Sequence, residues 1–284
     1  MQRHWTAALA VACMGLVTAA GAESQTGSIE FAVRLRPTAA RPEPVMRLPI
    51  HLLRKSFADI QKEAEESVEP ADLDKFVDGL SVSTEMKDWM KRTKVVRLSD
   101  PSLITRLQPD DVFTVPEFFE AYIARNAGDV TTGFPAAKYR ERDKTENPVR
   151  YERQVREYRE ALRKHLNSNP HTLIGVELEL QEIDPGPRWA AVERERAFRV
   201  RMRTMEMAER RYHVAKTETD LEGRGGFVNV APGNYWLTSL DGEGRVGDIR
   251  LRWDVPVSVG AGRPTSIELN NLNGTRPPQA GAQP

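Results

Sequence analysis

The apolar residues of this 284-residue chain change period twice, and that constrains its fold more than any motif does. Ile29, Phe31, Val33 and Leu35 alternate with Glu30, Ala32, Arg34 and Arg36. This is the period of two of a strand with one buried face. After Ser56 the spacing lengthens to three and four, the period of helices, and near Tyr212 it returns to two. Ile249, Leu251, Trp253, Val255, Val257 and Val259 then point one way, against Arg250, Arg252, Asp254, Pro256 and Ser258. A sheet with one apolar face must bury it against another layer. Strands at both ends with helices between them therefore predict an α+β chain: an antiparallel β-sandwich made by both ends, carrying a large helical insertion.

The expected divisions are a leader at 1–22, first strands within 23–56, an insertion at 57–211, remaining strands within 212–274 and a loose tail at 275–284. Met46, Leu48, Ile50 and Leu52 alternate as a second strand, and Pro49 suits an edge position. Ser56 can cap the first helix. Short helices are expected at 70–78 and 85–92. Thr114-Val115-Pro116-Glu117 has capping-box spacing before a helix at 118–127. Residues 148–166 carry the stripe Val155, Tyr158, Leu162 and Leu166. Residues 173–183 fit a helix or a strand, and Asn169-Pro170 favours the helix. An Arg-rich helix is expected over 188–211.

The N-terminus has the form of a secretory signal peptide: Arg3, an apolar run from Ala7 to Ala20, and the small-x-small site Ala20-Gly21-Ala22. Cleavage there would send the chain to the periplasm or outside the cell. A lipoprotein site at Cys13 fits less well, because the apolar run continues past it to Val17. Cys13 is the single cysteine, so cleavage would leave no thiol and no disulfide. The 41 basic and 41 acidic side chains balance, which argues against nucleic acid as the partner. No stretch beyond the leader approaches spanning length.

The C-terminal third carries a turn signature. Thr219-Asp220-x-x-Gly223 is followed by Phe227-x-x-Val230 and then Pro232-Gly233-x-Tyr235. Asp220 can bond nearby N–H groups, Gly223 can take positive φ, and Pro232-Gly233 suits a type II turn. This order resembles the carboxypeptidase regulatory-like domain. That resemblance implies a transthyretin-like sandwich, grouped with carbohydrate-binding-like folds, over residues 28–56 and 212–272. Arg224-Gly225-Gly226 departs from the pattern as an extra-flexible stretch, and the insertion departs further.

No catalytic set accompanies these turns. His51, His165, His171 and His213 stand in no zinc motif, and there is no nucleophile elbow or phosphate loop. His51 and His213 are expected near each other as ordinary surface histidines. Asp110, Asp111, Glu117 and Glu120 are the candidate carboxylates for a glycoside hydrolase, although helix starts explain three of them. Asp220 and Glu222 could ligate Ca²⁺, but a turn role is commoner. Tyr235, Trp236 and Trp189 are the candidate ligand-binding aromatics. Tyr235 can instead tie its hydroxyl to backbone, as at sandwich corners. The expectation is a non-catalytic binding or scaffolding protein of the cell envelope, with no metal and no cofactor. Its partner would be an envelope protein or a glycan. The alternatives are a carbohydrate-binding protein using exposed aromatics, and a hydrolase with carboxylates in the insertion.

Overall fold

The computed structural model describes residues 25–38 and 40–277. The leader expected at 1–22, with Cys13, and residues 278–284 lie outside them. The chain divides into two compact units. One comprises the residues up to Lys62 and those from Thr204 onward; the other is Glu63–Arg203.

Among the described residues the first unit holds ten strands: β1 Gly27–Leu35, β2 Glu43–Pro44, β3 Pro49–Leu53, β4 His213–Glu218, β5 Arg224–Val230, β6 Gly233–Thr238, β7 Gly244–Val246, β8 Ile249–Val259, β9 Pro264–Leu269 and β10 Gly274–Thr275. In a four-stranded sheet β1 pairs antiparallel with β2 and β5, and parallel with β9. The six-stranded sheet runs β10-β8-β6-β3-β4, with β7 also on β8. Ile29, Phe31 and Val33 of the first sheet join Ile50, Leu52, Leu237 and Trp253 of the second in one hydrophobic cluster. That is the destination of the period-two alternation at both chain ends.

Several expectations need correction here. Pairing is not antiparallel throughout: β8 belongs to one sheet and β9 to the other, and the chain arrives beside β1 running in the same direction. β3 is internal rather than an edge, since it lies between β4 and β6. Pro49 is tolerated because β6 pairs only with His51–Leu53. Met46 is exposed, because Arg47 takes φ 52 and resets the alternation before the strand begins. Gly225 and Gly226 lie within β5 and not in a flexible stretch. A Cβ on Gly225 would fall 2.5 Å from the Phe31 ring, so glycine is what lets that ring into the core. Gly233 opens β6 at φ 159, not at the φ of about +80° that a type II turn needs. The Asp220 turn forms as read: Asp220 Oδ1 accepts from the N–H groups of Glu222 (3.0 Å) and Arg224 (2.7 Å), and Gly223 has φ 75.

The helices are α1 Phe57–Ser67, α2 Leu73–Asp78, α3 Thr84–Thr93, α4 Pro109–Thr114, α5 Pro116–Asn126, α6 Asp143–Glu146, α7 Pro148–Ser168 and α8 Gly186–Met207. Ser56 Oγ accepts from Asp59 N–H at 3.0 Å and caps α1. The core of the second unit gathers Met86, Trp89, Phe118, Tyr122, Tyr158 and Leu162. Trp89 meets Phe118 edge-on, with ring centroids 4.8 Å apart. The capping box expected at Thr114 does not form. Thr114 ends α4 and donates to Asp110 O, while Glu117 accepts from Ser83 N–H and Oγ–H at 2.6 Å each. Residues 176–183 wind as a 3-10 helix, set off by Gly175 at φ 89. Leu173, Val176 and Leu180 are buried there while Ile174 and Leu178 are exposed, which excludes the strand reading. The Arg-rich helix stops at Met207, and a π-helical turn, Ala208–Tyr212, leads to β4.

Candidate functional site

The three aromatics are divided between the two units, two on one strand and one on a helix. Tyr235 and Trp236 are adjacent in β6 and face opposite ways. Tyr235 is buried in the sheet core, and its hydroxyl donates to Ala231 O at 2.9 Å, which removes its ring as a ligand platform. Trp236 is half-buried on the other face, in register with Leu53 and Pro256. Trp189 belongs to the helical unit, and its ring packs against Phe76 with centroids 5.1 Å apart.

Three of the four candidate carboxylates of the insertion have structural partners. Asp111 accepts from Arg92 at 2.8 Å and from Gln108 N–H at 3.0 Å. Burial would raise its pKa; those two partners outweigh burial and hold it below the usual carboxylate range. Glu117 is bonded to Ser83, Asp110 lies 3.9 Å from Arg163, and Glu120 is exposed. Among the described residues no three His, Cys, Asp or Glu side chains are arranged to hold a metal.

The outer face of the six-stranded sheet carries a polar row that was not foreseen. Strand register places Lys216 of β4, His51 of β3, Thr238 of β6 and Asp254 of β8 side by side. His51 is not an ordinary surface histidine. Its ring lies 5.8 Å from that of His213, and its pKa falls to about 4 through burial, then through Lys216 and His213. Asp254 Oδ2 accepts from Ala58 N–H at 3.1 Å and so caps the first turn of α1 from another strand. Burial pushes Asp254 up, the N–H groups of Phe57 and Ala58 oppose that, and Asp59 adds to it. His51 Nδ1 and Asp254 Oδ1 are buried without a hydrogen-bond partner among the described residues.

The outer face of the four-stranded sheet is different. It forms a trough of about 840 Å³ lined by Glu30, Ala32, Arg34, Arg224, Ser266 and Glu268, with Asp220 at one end. Register fixes their places: Glu30 stands between Gly226 and Ser266, and Ala32 stands between Arg224 and Glu268. Gly226 leaves the β5 side of Glu30 open. Among the described residues, none of the four charged side chains around Ala32 makes an ion pair or a side-chain hydrogen bond. Alternation alone reads these residues as a solvated strand face. Only the parallel seat of β9 beside β1 brings Ser266 and Glu268 to Glu30 and Ala32.

No protein-family model matches the chain, and no curated protein matches it. Among solved structures it is similar to a Pseudomonas aeruginosa protein provisionally described as carbohydrate binding, at 12% identity and a TM-score of 0.25, over 87% of this chain and 90% of that one. A second likeness is to the pilus backbone protein RrgB of Streptococcus pneumoniae, at 12% identity and a TM-score of 0.23, over 87% of this chain and 41% of that one. At such scores neither likeness assigns a ligand or a detailed fold. Among the described residues, no helix is long and apolar enough to cross a membrane.

Proposed function

We propose that this chain is an exported, non-catalytic binding or scaffolding protein of the cell envelope. Its strand unit would be a transthyretin-like sandwich of the carboxypeptidase regulatory-like kind. The shared core of the two sheets supports the sandwich reading, and the Asp220–Gly223 turn supports the resemblance. The leader at 1–22 is the basis for export.

One observation carries the binding role. Four charged side chains, from three adjacent strands, line a trough and make no ion pair with one another or with other described residues. The strands fix where these side chains begin, and a ligand would order each of them at about 0.5–1.5 kcal/mol. The aromatic-platform reading is left with Trp236 and Trp189, both half-buried. The hydrolase reading loses Asp111 and Glu117 to structural partners. The test is capture of partners from the native envelope by the mature chain and by its Arg224→Gln/Glu268→Gln variant. The proposal expects a saturable partner that the variant loses. Equal capture by both, or turnover of a hydrolase substrate panel, would contradict it.

A further inference from the structure

We infer that the trough on the four-stranded sheet takes a zwitterionic ligand of dipeptide length, with an ammonium at one end and a carboxylate at the other; this rests on the binding role proposed above. The inference comes from the order of charges around Ala32. Glu30 and Arg34 lie two residues either side of Ala32 along β1, about 13 Å apart at an ordinary strand rise. Arg224 and Glu268 flank Ala32 on β5 and β9, about 10 Å apart at ordinary strand spacing. Taken round the methyl group, the signs do not alternate. Glu30 and Glu268 are neighbours, with Ser266 between them, and Arg34 and Arg224 are neighbours on the opposite side. Asp220 lies at the arginine end too; its carboxylate, which accepts from the N–H groups of Glu222 and Arg224, offsets one of the two guanidinium charges there.

The two arginines and three carboxylates, Asp220 included, leave the trough with one net negative charge, negative at the Glu30–Glu268 edge and positive at the arginine edge. An anion or a cation alone meets one favourable edge and one unfavourable edge. A zwitterion meets both favourably: its ammonium faces Glu30, Ser266 and Glu268, and its carboxylate faces the two guanidinium groups, whose planar forks suit it. The Cα midpoints of the two like-charged pairs are about 8 Å apart on the same strand spacings, and the long side chains can reach inwards from there. An extended dipeptide spans about 7 Å. The small floor formed by Ala32 and Gly226 leaves room for its backbone. Exposed charge contacts are individually weak, so the affinity expected is millimolar and falls as salt is added.

The experiment titrates the full chain, labelled with ¹⁵N, with L-Ala-L-Ala and separately with N-acetyl-L-Ala-L-Ala-amide. The expected result is saturable shifts of the Ala32, Gly225 and Ser266 amides with the free dipeptide and none with the capped one. Arg224→Gln or Glu268→Gln should each weaken binding about three- to fivefold, with unchanged spectra elsewhere as the folding control. Equal midpoints for the capped and free peptides would overturn the inference, as would the absence of saturable shifts at those amides. If peptides fail while envelope capture still depends on Arg224 and Glu268, the ligand class falls and the binding role stands. If the dipeptide binds and is cleaved, the ligand class stands and the non-catalytic role falls.

Discussion

The outer faces of the two sheets use polar residues in opposite ways. On the six-stranded sheet, His51, Thr238 and Asp254 sit in one row, and Asp254 caps a helix that starts elsewhere in the chain. On the four-stranded sheet, Glu30, Arg34, Arg224 and Glu268 stand in solvent and make no ion pair among the described residues. Both faces show the same alternation in sequence. What separates them is what packs above: the first turn of α1 in one case, and an open trough in the other. Polar groups under a helix must be matched or they cost stability, whereas polar groups over a trough are available to a ligand.

Substitutions can break this contrast. The largest effect is expected on the covered face, where Trp236→Ala should destabilise the chain by about 2–3 kcal/mol, somewhat less than a fully buried tryptophan. Urea unfolding measures it, and an unchanged midpoint would mean that the face is not covered as described. Asp254→Ala should cost about 1–2 kcal/mol through the lost cap of α1, while Asp254→Asn, which keeps an acceptor, should cost less. Hydrogen exchange at Ala58 would report the loss locally.

The third effect depends on pH. The pKa of His51 is lowered by burial to about 4 in the folded chain, against an ordinary value of 6.5. On acidification the unfolded chain therefore binds the proton first. The stability that neutral His51 provides is complete above pH 6.5 and is lost as the pH falls towards 4. Asp254, raised by burial, works in the opposite sense. The difference between wild type and His51→Gln isolates the histidine: the variant should lose less stability over that window. Parallel pH curves would show that His51 is solvated after all.

Much of this architecture was legible from periodicity. β8 buries Leu251, Trp253, Val257 and Val259, and α7 buries Tyr158, Leu162 and Leu166, as their alternation and stripe single out, because both signals are local; Ile249, Val255 and Val155 are only half-buried. The Asp220 turn was legible for the same reason. What could not be read was non-local. The parallel seat of β9 depends on which sheet the chain enters after Val259. The capping role of Asp254 exists only because β8 lies beside the start of α1. The capping box at Thr114 misled because Val115 both ends α4 and precedes α5, which commits Thr114 to the earlier helix. The trough was hidden by the same limit, since its residues come from three strands brought together by register.

The most direct test is the urea unfolding free energy of Glu30→Gln/Arg34→Gln/Arg224→Gln/Glu268→Gln. If these charges are held for recognition, removing all four should leave stability within about 1 kcal/mol of wild type, as for ordinary surface changes. A loss of about 3 kcal/mol or more would show that they support the fold, and would contradict the contrast between the two faces.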